Sequence, residues 1–283
     1  MHHRFIPAVP NWKAPKQLDT FATKPYYFPR ESRPWISKMN RKALIYGLEG
    51  IQLEVSEVVN AQQPSNQPSS FFRKNMPVLI PLLGQSEADL QRQLSALDVA
   101  IESEATLVSI AQHFYQKYAE QKAVTNAPFC LVITGRTKTS ISKDIHYFQK
   151  TIGQTITDGK TSKTPSGSYF TANPLGKKGK LTFVYPGSGT AYTGIGRALF
   201  QLFPELHDYF GAMVDDLNAY VYSEKVHPQM LSIDTEAESA LEKDAIALMS
   251  VGVFYAAAYT HILRHYFKIE PEVAFGYSMG ECS

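Results

Sequence analysis

The stretch that most limits how this chain can fold is "EPEVAFGYSMGECS", residues 270–283. Val273, Ala274 and Phe275 read as a short apolar strand. Gly276-Tyr277-Ser278-Met279-Gly280 then sets a small residue two positions either side of a serine. That spacing suits a sharp strand-to-helix turn in which the serine takes strained backbone angles and a Cβ at either glycine collides with the returning chain. Three fixed positions of this kind arise by chance roughly 0.1 times in a chain of ordinary composition. The turn therefore needs a companion before it implies chemistry.

The companion is "KLTFVYPGSGT", where a strand over Leu181 to Tyr185 runs into Gly187, Ser188 and Gly189. Two phosphate-binding readings fail on their residues. The dinucleotide pattern G-x-G-x-x-G needs glycine where Tyr192 stands, and the P-loop needs lysine where Ile195 stands. What remains is that Gly187 and Gly189 let the backbone come close to something and present an amide N–H to a developing negative oxygen, with packing alone as the alternative.

Composition divides the rest of the chain. "RKALIYG" and "IQLEVSEVV" read as strands, the second half-buried because Ile51, Leu53 and Val55 alternate. Asn60 to Ser70 is polar and Pro-containing, a linker. "MPVLIPLL" has strand length. A helix follows from Ser86, with Leu90, Leu94, Leu97 and Ile101 at three- and four-residue spacing. A second helix over "TLVSIAQHFYQKYAEQK", a strand "FCLVITG" and a third helix "SKDIHYFQKTI" give the order of a small α/β module. "DGKTSKTPSGS" and "NPLGKKGK" are expected to be exposed. Beyond them come a helical pattern from Ile195 to Tyr222 and a long helix from about Glu238 to Tyr266.

"FVYPGSGTAYTGIGRALF" together with "PEVAFGYSMGE" resembles the acyltransferase domain of fatty-acid and polyketide synthases, whose opening strand ends in F-P-G-Q-G and whose serine lies in G-H-S-x-G-E. The PGSGT and GYSMGE variants are most similar to the acyltransferase-bearing subunit of bacterial polyunsaturated fatty acid synthases. "ESRPWI" and Arg41 to Val59 resemble the carboxyl end of a ketosynthase domain, and residues 77–155 the small module between ketosynthase and acyltransferase.

The resemblance implies an α/β fold: a small α/β linker module, then the first part of an α/β-hydrolase-like acyltransferase core with a parallel sheet. Its boundaries are 1–70 for the ketosynthase-like remnant and linker, 77–155 for the module, 156–180 for a flexible linker and 181–283 for the amino-terminal part of the acyltransferase domain. It implies Ser278 as nucleophile, the backbone N–H groups of Ser188 and Met279 as oxyanion hole, and Gly187, Gly189, Gly276 and Gly280 as turn glycines. No cofactor or metal is expected to be bound. A malonyl or other short acyl group passes from acyl-coenzyme A through a seryl ester to the phosphopantetheine of an acyl carrier protein. The partners expected are carrier-protein domains and other synthase subunits, in the cytoplasm.

This sequence also departs from the family pattern. Gln52-Leu53-Glu54 stands where a ketosynthase has Asn-Ala-His, so the amino-terminal region reads as non-catalytic. Ser188 replaces a glutamine, which a main-chain donor tolerates, and Tyr277 replaces a histidine, which bears on acyl preference. The family's base histidine and carboxylate-gripping arginine match no residue here. The chain is therefore expected to be the front of a longer protein and inactive alone, since removing the base costs on the order of 10⁶ in turnover. An α/β-hydrolase-type esterase or thioesterase, and a non-catalytic docking module, are the alternatives.

Other features narrow the field. The 28 basic and 26 acidic residues give no electrostatic footprint for nucleic acid or an anionic membrane, and neither partner is expected. Cys130 and Cys282 form no disulfide framework. The uncharged run Ala245 to Leu263 has membrane-spanning length, but its alanines, Ser250, Gly252, Thr260 and His261 favour a buried core helix. His261 and His265 read as helix-end histidines rather than metal ligands, and Arg197 as a solvated arginine.

Overall fold

The computed structural model describes residues 4–9, 29, 31–47, 50–58, 76–124, 126–176, 179–228 and 235–283. In chain order the elements are β1 (Phe5–Ile6), β2 (Arg33–Pro34), β3 (Lys42–Tyr46), β4 (Gln52–Ser56), β5 (Val78–Gly84), α1 (Glu87–Glu102), α2 (Leu107–Val124), β6 (Phe129–Gly135), α3 (Lys138–Thr157), β7 (Thr161–Lys163) and β8 (Tyr169–Thr171). They continue with β9 (Thr182–Tyr185), α4 (Leu199–Leu202), α5 (Leu206–Gly211), α6 (Asn218–Val221), α7 (Ser223–Val226), α8 (Thr235–Glu242), α9 (Ala245–His261) and β10 (Val273–Gly276). The architecture is α/β, in two compact units: Pro64–Gly179, and Met1–Gln63 together with Lys180–Ser283. The linker read at Asn60 to Ser70 lies outside the described residues.

The central unit is a four-stranded antiparallel sheet, order β5-β6-β8-β7, with β5 paired to β6 from Val78↔Gly135 to Gly84↔Phe129. Ile80, Leu82, Leu131 and Ile133 alternate onto one face, where Leu90, Leu94 and Leu97 of α1 and Ile141, Ile145, Phe148 and Ile152 of α3 bury fully against them. Full burial of each such side chain stabilises by about 1.5–3 kcal/mol. The helix starts are fixed locally: the Ser86 hydroxyl accepts from the Asp89 N–H, and Thr137 and Ser140 form a reciprocal capping box.

Residues 161–171, expected from their Ser, Thr and Gly content to be exposed linker, instead form β7 and β8, with Ser162, Thr164 and Ser168 buried. The cause is Asp144, the charged member of the buried face of α3. One of its carboxylate oxygens accepts from the hydroxyls of Thr164 at 2.8 Å, Ser168 at 2.5 Å and Ser166. Hydroxyls paired in this way can be buried without the penalty of an unmet polar group.

In the other unit β9 and β10 pair in parallel, Thr182↔Val273 to Tyr185↔Gly276. The Tyr185 hydroxyl lies 2.9 Å from Thr260 Oγ1, which ties the pair to α9. Leu199, Phe200, Leu206, Phe210, Val221 and Val226 pack on Val251, Phe254, Tyr255 and Ile262. The helix expected from Ile195 to Tyr222 is broken into short turns: Pro204 cannot continue one, and Tyr222 is left-handed at φ +48°. The long helix is divided as well, because the Asp244 side chain caps Ala247 N–H and begins α9 anew.

By length and composition Ala245–Tyr266 could cross a membrane, yet its Ala247, Val251, Phe254, Tyr255 and Ala258 are buried in this core. β3 and β4 form a hairpin closed by Arg41, whose Nη1 donates to Glu57 at 2.7 Å. The half-burial expected of β4 is corrected: Ile51 and Leu53 are more than half exposed, because among the described residues this hairpin pairs only with itself.

Candidate functional site

Because β9 and β10 are parallel neighbours, the turns that follow them emerge at the same, carboxyl edge of the sheet, the edge where α/β proteins build sites. Tyr277 N–H donates to the Tyr185 carbonyl at 3.1 Å, extending the ladder by one rung into both turns. The chain then reverses at Ser278, which takes φ +55°, a left-handed conformation that costs a residue with a side chain of order 1–3 kcal/mol. A turn of this kind lifts the serine hydroxyl clear of the sheet; Ser278 is exposed.

The flanking glycines are demanded by crowding. A Cβ on Gly276 would sit 2.0 Å from the Gly280 carbonyl carbon, and one on Gly280 would sit 2.3 Å from the Tyr185 oxygen and 2.8 Å from the Pro186 oxygen. A Cβ on Gly187 would lie 3.4 Å from Ser278 Cβ and 3.1 Å from the Tyr277 ring, so the two glycine turns are in van der Waals contact. Gly189 has open space around it but takes φ +92°, so its requirement is conformational. No acceptor among the described residues takes the N–H of Ser188 or of Met279. Met279 itself is buried against Gly252 of α9, where an added Cβ would stand 2.7 Å from the methionine methyl.

The histidines lie elsewhere. His207 and His227 are buried, and each ring is pushed down to about 3, first by burial and then by neighbouring guanidinium groups, Arg41 and Arg4 for the one and Arg197 and Arg33 for the other. His261 stacks on Tyr209 at 3.7 Å and on His265 at 5.0 Å between ring centroids. Among the described residues none of these rings is hydrogen-bonded to Ser278, and no group of His, Cys, Asp and Glu could hold a metal.

The sequence reading missed two features here. Arg197 is not fully solvated: it pairs with Glu31, is half-buried, and burial lowers its pKa. Gly196 is a further obligatory glycine, at φ +66° with the Tyr255 ring where its Cβ would be. The "TGIG" spacing was the available signal for Gly196.

No family model matches the chain. Over 152 residues it is 23% identical to one of the subunits of the polyunsaturated fatty acid synthase of Thraustochytrium sp., a match covering 52% of this chain and 7% of that protein. Among solved structures, the acyl transferase domain of ZmaA superposes with TM-score 0.52 at 18% identity over 74% of this chain and 44% of that one. The acyl transferase domain of SpnD in complex with 2-(pent-4-yn-1-yl)malonyl gives TM-score 0.44 at 17% identity, over 73% and 43%. The chain thus has the fold of an acyltransferase domain and spans less than half the length of these relatives.

Proposed function

We propose that this chain carries the nucleophile and oxyanion turns of an acyltransferase of a polyunsaturated fatty acid or polyketide synthase. The observation that supports it most is Ser278 at φ +55° against the Gly187 turn, with two unengaged N–H groups, those of Ser188 and Met279, on the two turns. In this reading Ser278 Oγ attacks the thioester carbonyl of an acyl-coenzyme A. The carbonyl oxygen becomes an anion that the Ser188 and Met279 amides stabilise, and as the seryl ester forms the carbon–sulfur bond breaks and coenzyme A leaves as its thiol, with the serine proton delivered through water to the sulfur. The phosphopantetheine thiol of a carrier protein then attacks that ester, regenerating the serine.

Removal of one such donor typically costs on the order of 10²–10³ in turnover. Tyr277, 76% exposed and packed beside Gly187, borders the acyl position and bears on whether malonyl or another short acyl group is taken. With none of the described histidines bonded to Ser278, its proton leaves through water in this reading and turnover is slow.

The test is covalent labelling. Incubating the purified chain with a fluorophosphonate, and separately with malonyl- and acetyl-coenzyme A, should add one mass increment that maps to Ser278 and vanishes in Ser278→Ala. Adding holo-carrier protein should then move the acyl group to its thiol. Labelling that persists in Ser278→Ala would remove the nucleophile assignment, and release of free acid with no transfer would make the protein a hydrolase.

A further inference from the structure

We infer that the same unit holds a second small-molecule site, one that takes a small monocarboxylate. A cavity of about 100 Å³ lies between residues 37–41 and the stretch from α5 to α6, lined by Lys38, Arg41, His207, Val214, Asp215 and Leu217. At roughly 30 Å³ per water it has room for about three waters, or a ligand of a few heavy atoms. None of these residues belongs to the turns around Ser278.

The donors fix the chemistry. Arg41 is 7% exposed, with Nη1 on Glu57 and Nε donating to the Trp35 carbonyl at 2.7 Å. Its Nη2 meets His207 Nδ1 at 3.5 Å. A guanidinium can only donate, so Nδ1 is the acceptor and the ring proton sits on Nε2. His207 is 5% exposed and Nε2 has no partner, so a buried N–H is left without an acceptor. An unmet buried donor costs about 1–3 kcal/mol, which a ligand acceptor would recover. A second hydrogen on Arg41 Nη2 is uncommitted as well, and Lys38, an exposed lining residue, is in no described ion pair.

Asp215 and Ser37 also line the cavity, but neither accepts from His207 Nε2 or Arg41 Nη2, and a carboxylate ligand offers about four lone-pair positions. Val214 and Leu217 supply an apolar side for its methyl end. The surrounding charges set the limit on ligand charge: Glu57 neutralises Arg41, Asp208 pairs with Arg4, and Asp215 lines the same cavity as Lys38. That balance suits one negative charge and disfavours two, so acetate should bind and phosphate should not.

The experiment is an NMR titration of the full chain that follows the His207 ring nitrogens and protons at constant ionic strength. Sodium acetate should give a saturable shift with Kd on the order of 1 mM, with acetamide and inorganic phosphate at least about tenfold weaker. Lys38→Gln, at an exposed position that leaves folding intact, should weaken acetate about threefold, and Asp215→Asn should strengthen it by a similar factor. No saturable shift with acetate overturns the site, as does an equal response to acetamide. Unchanged acetate binding in both variants overturns it too.

Discussion

Between Pro64 and Gly179, Ile80, Leu82, Leu131, Ile133, Phe148 and Ile152 are fully buried, and Asp144, drawn in with them, has three hydroxyl partners. In the unit built from Met1–Gln63 and Lys180–Ser283, the strands that carry the two glycine turns leave Val184, Val273 and Phe275 more than half exposed. That unit also buries His207 with Nε2 unpaired and His227 with both ring nitrogens unpaired. Both units have a packed apolar core, but the second also holds a strained serine and unmet histidine nitrogens. Strain and unmet polarity persist only where the surrounding structure over-determines them, and they concentrate at functional sites. The contrast supports, independently of any motif, the proposal that the chemistry lies in the second unit.

Acid is the strongest way to break that contrast. His207 and His227 are neutral when folded, held at about 3 against an ordinary 6.5, so the unfolded chain binds more protons. Their stabilisation is complete above pH 6.5 and is lost as pH falls toward 3, at about 1.4 kcal/mol per pH unit for each histidine. The central unit's described histidines, His113 and His146, are exposed. Hydrogen exchange read by mass spectrometry should show residues 180–283 opening between about pH 6 and 4 while residues 78–157 stay protected. Equal loss in both units would refute the difference.

A core truncation should act the other way. Phe148→Ala, at a fully buried position, should cost about 3–5 kcal/mol and expose residues 78–157 to exchange, with fluorophosphonate labelling of Ser278 unchanged. Gly280→Ala should reverse that pattern. Its methyl meets main-chain oxygens that cannot yield, the serine turn shifts, and a displacement of about 1 Å slows labelling by about 100-fold, while exchange over residues 78–157 is unaltered.

How far the sequence announced these features depended on the kind of contact involved. Gly276 and Gly280 were legible because only a residue without Cβ fits against the Tyr185 and Gly280 main chain, and the same argument pointed to Gly187. The buried faces of α1 and α3 followed from helical spacing. β7 and β8 escaped because Thr161, Ser162 and Lys163 carry no apolar alternation, and what draws them in is a carboxylate distant in sequence. One clue was available: Asp144 puts a charge into the series Ile141, Ile145, Phe148 on the buried face of α3. The Arg197–Glu31 pair and the burial of His207 and His227 join segments remote along the chain, and no local pattern encodes such contacts.

The smallest effect sharpens the comparison at the helix ends. Ser86 sits in extended backbone, φ −149° and ψ 171°, which aims its hydroxyl at the Asp89 N–H, so Ser86→Ala should lower the central unit's stability by about 1 kcal/mol in chemical denaturation. The short helices of the other unit start differently. Ala198, Glu205 and Leu217 precede α4, α5 and α6 with helical backbone angles and no side-chain cap. Ala198→Ser, at φ −74° and ψ −21°, therefore introduces a capping residue whose hydroxyl cannot reach the first-turn N–H groups, and stability should stay within about 0.5 kcal/mol. A gain near 1 kcal/mol would mean that these turns relax readily into ordinary capped helices. The geometry around Ser278 would then owe less to strain held in by its neighbours than the contrast between the units implies.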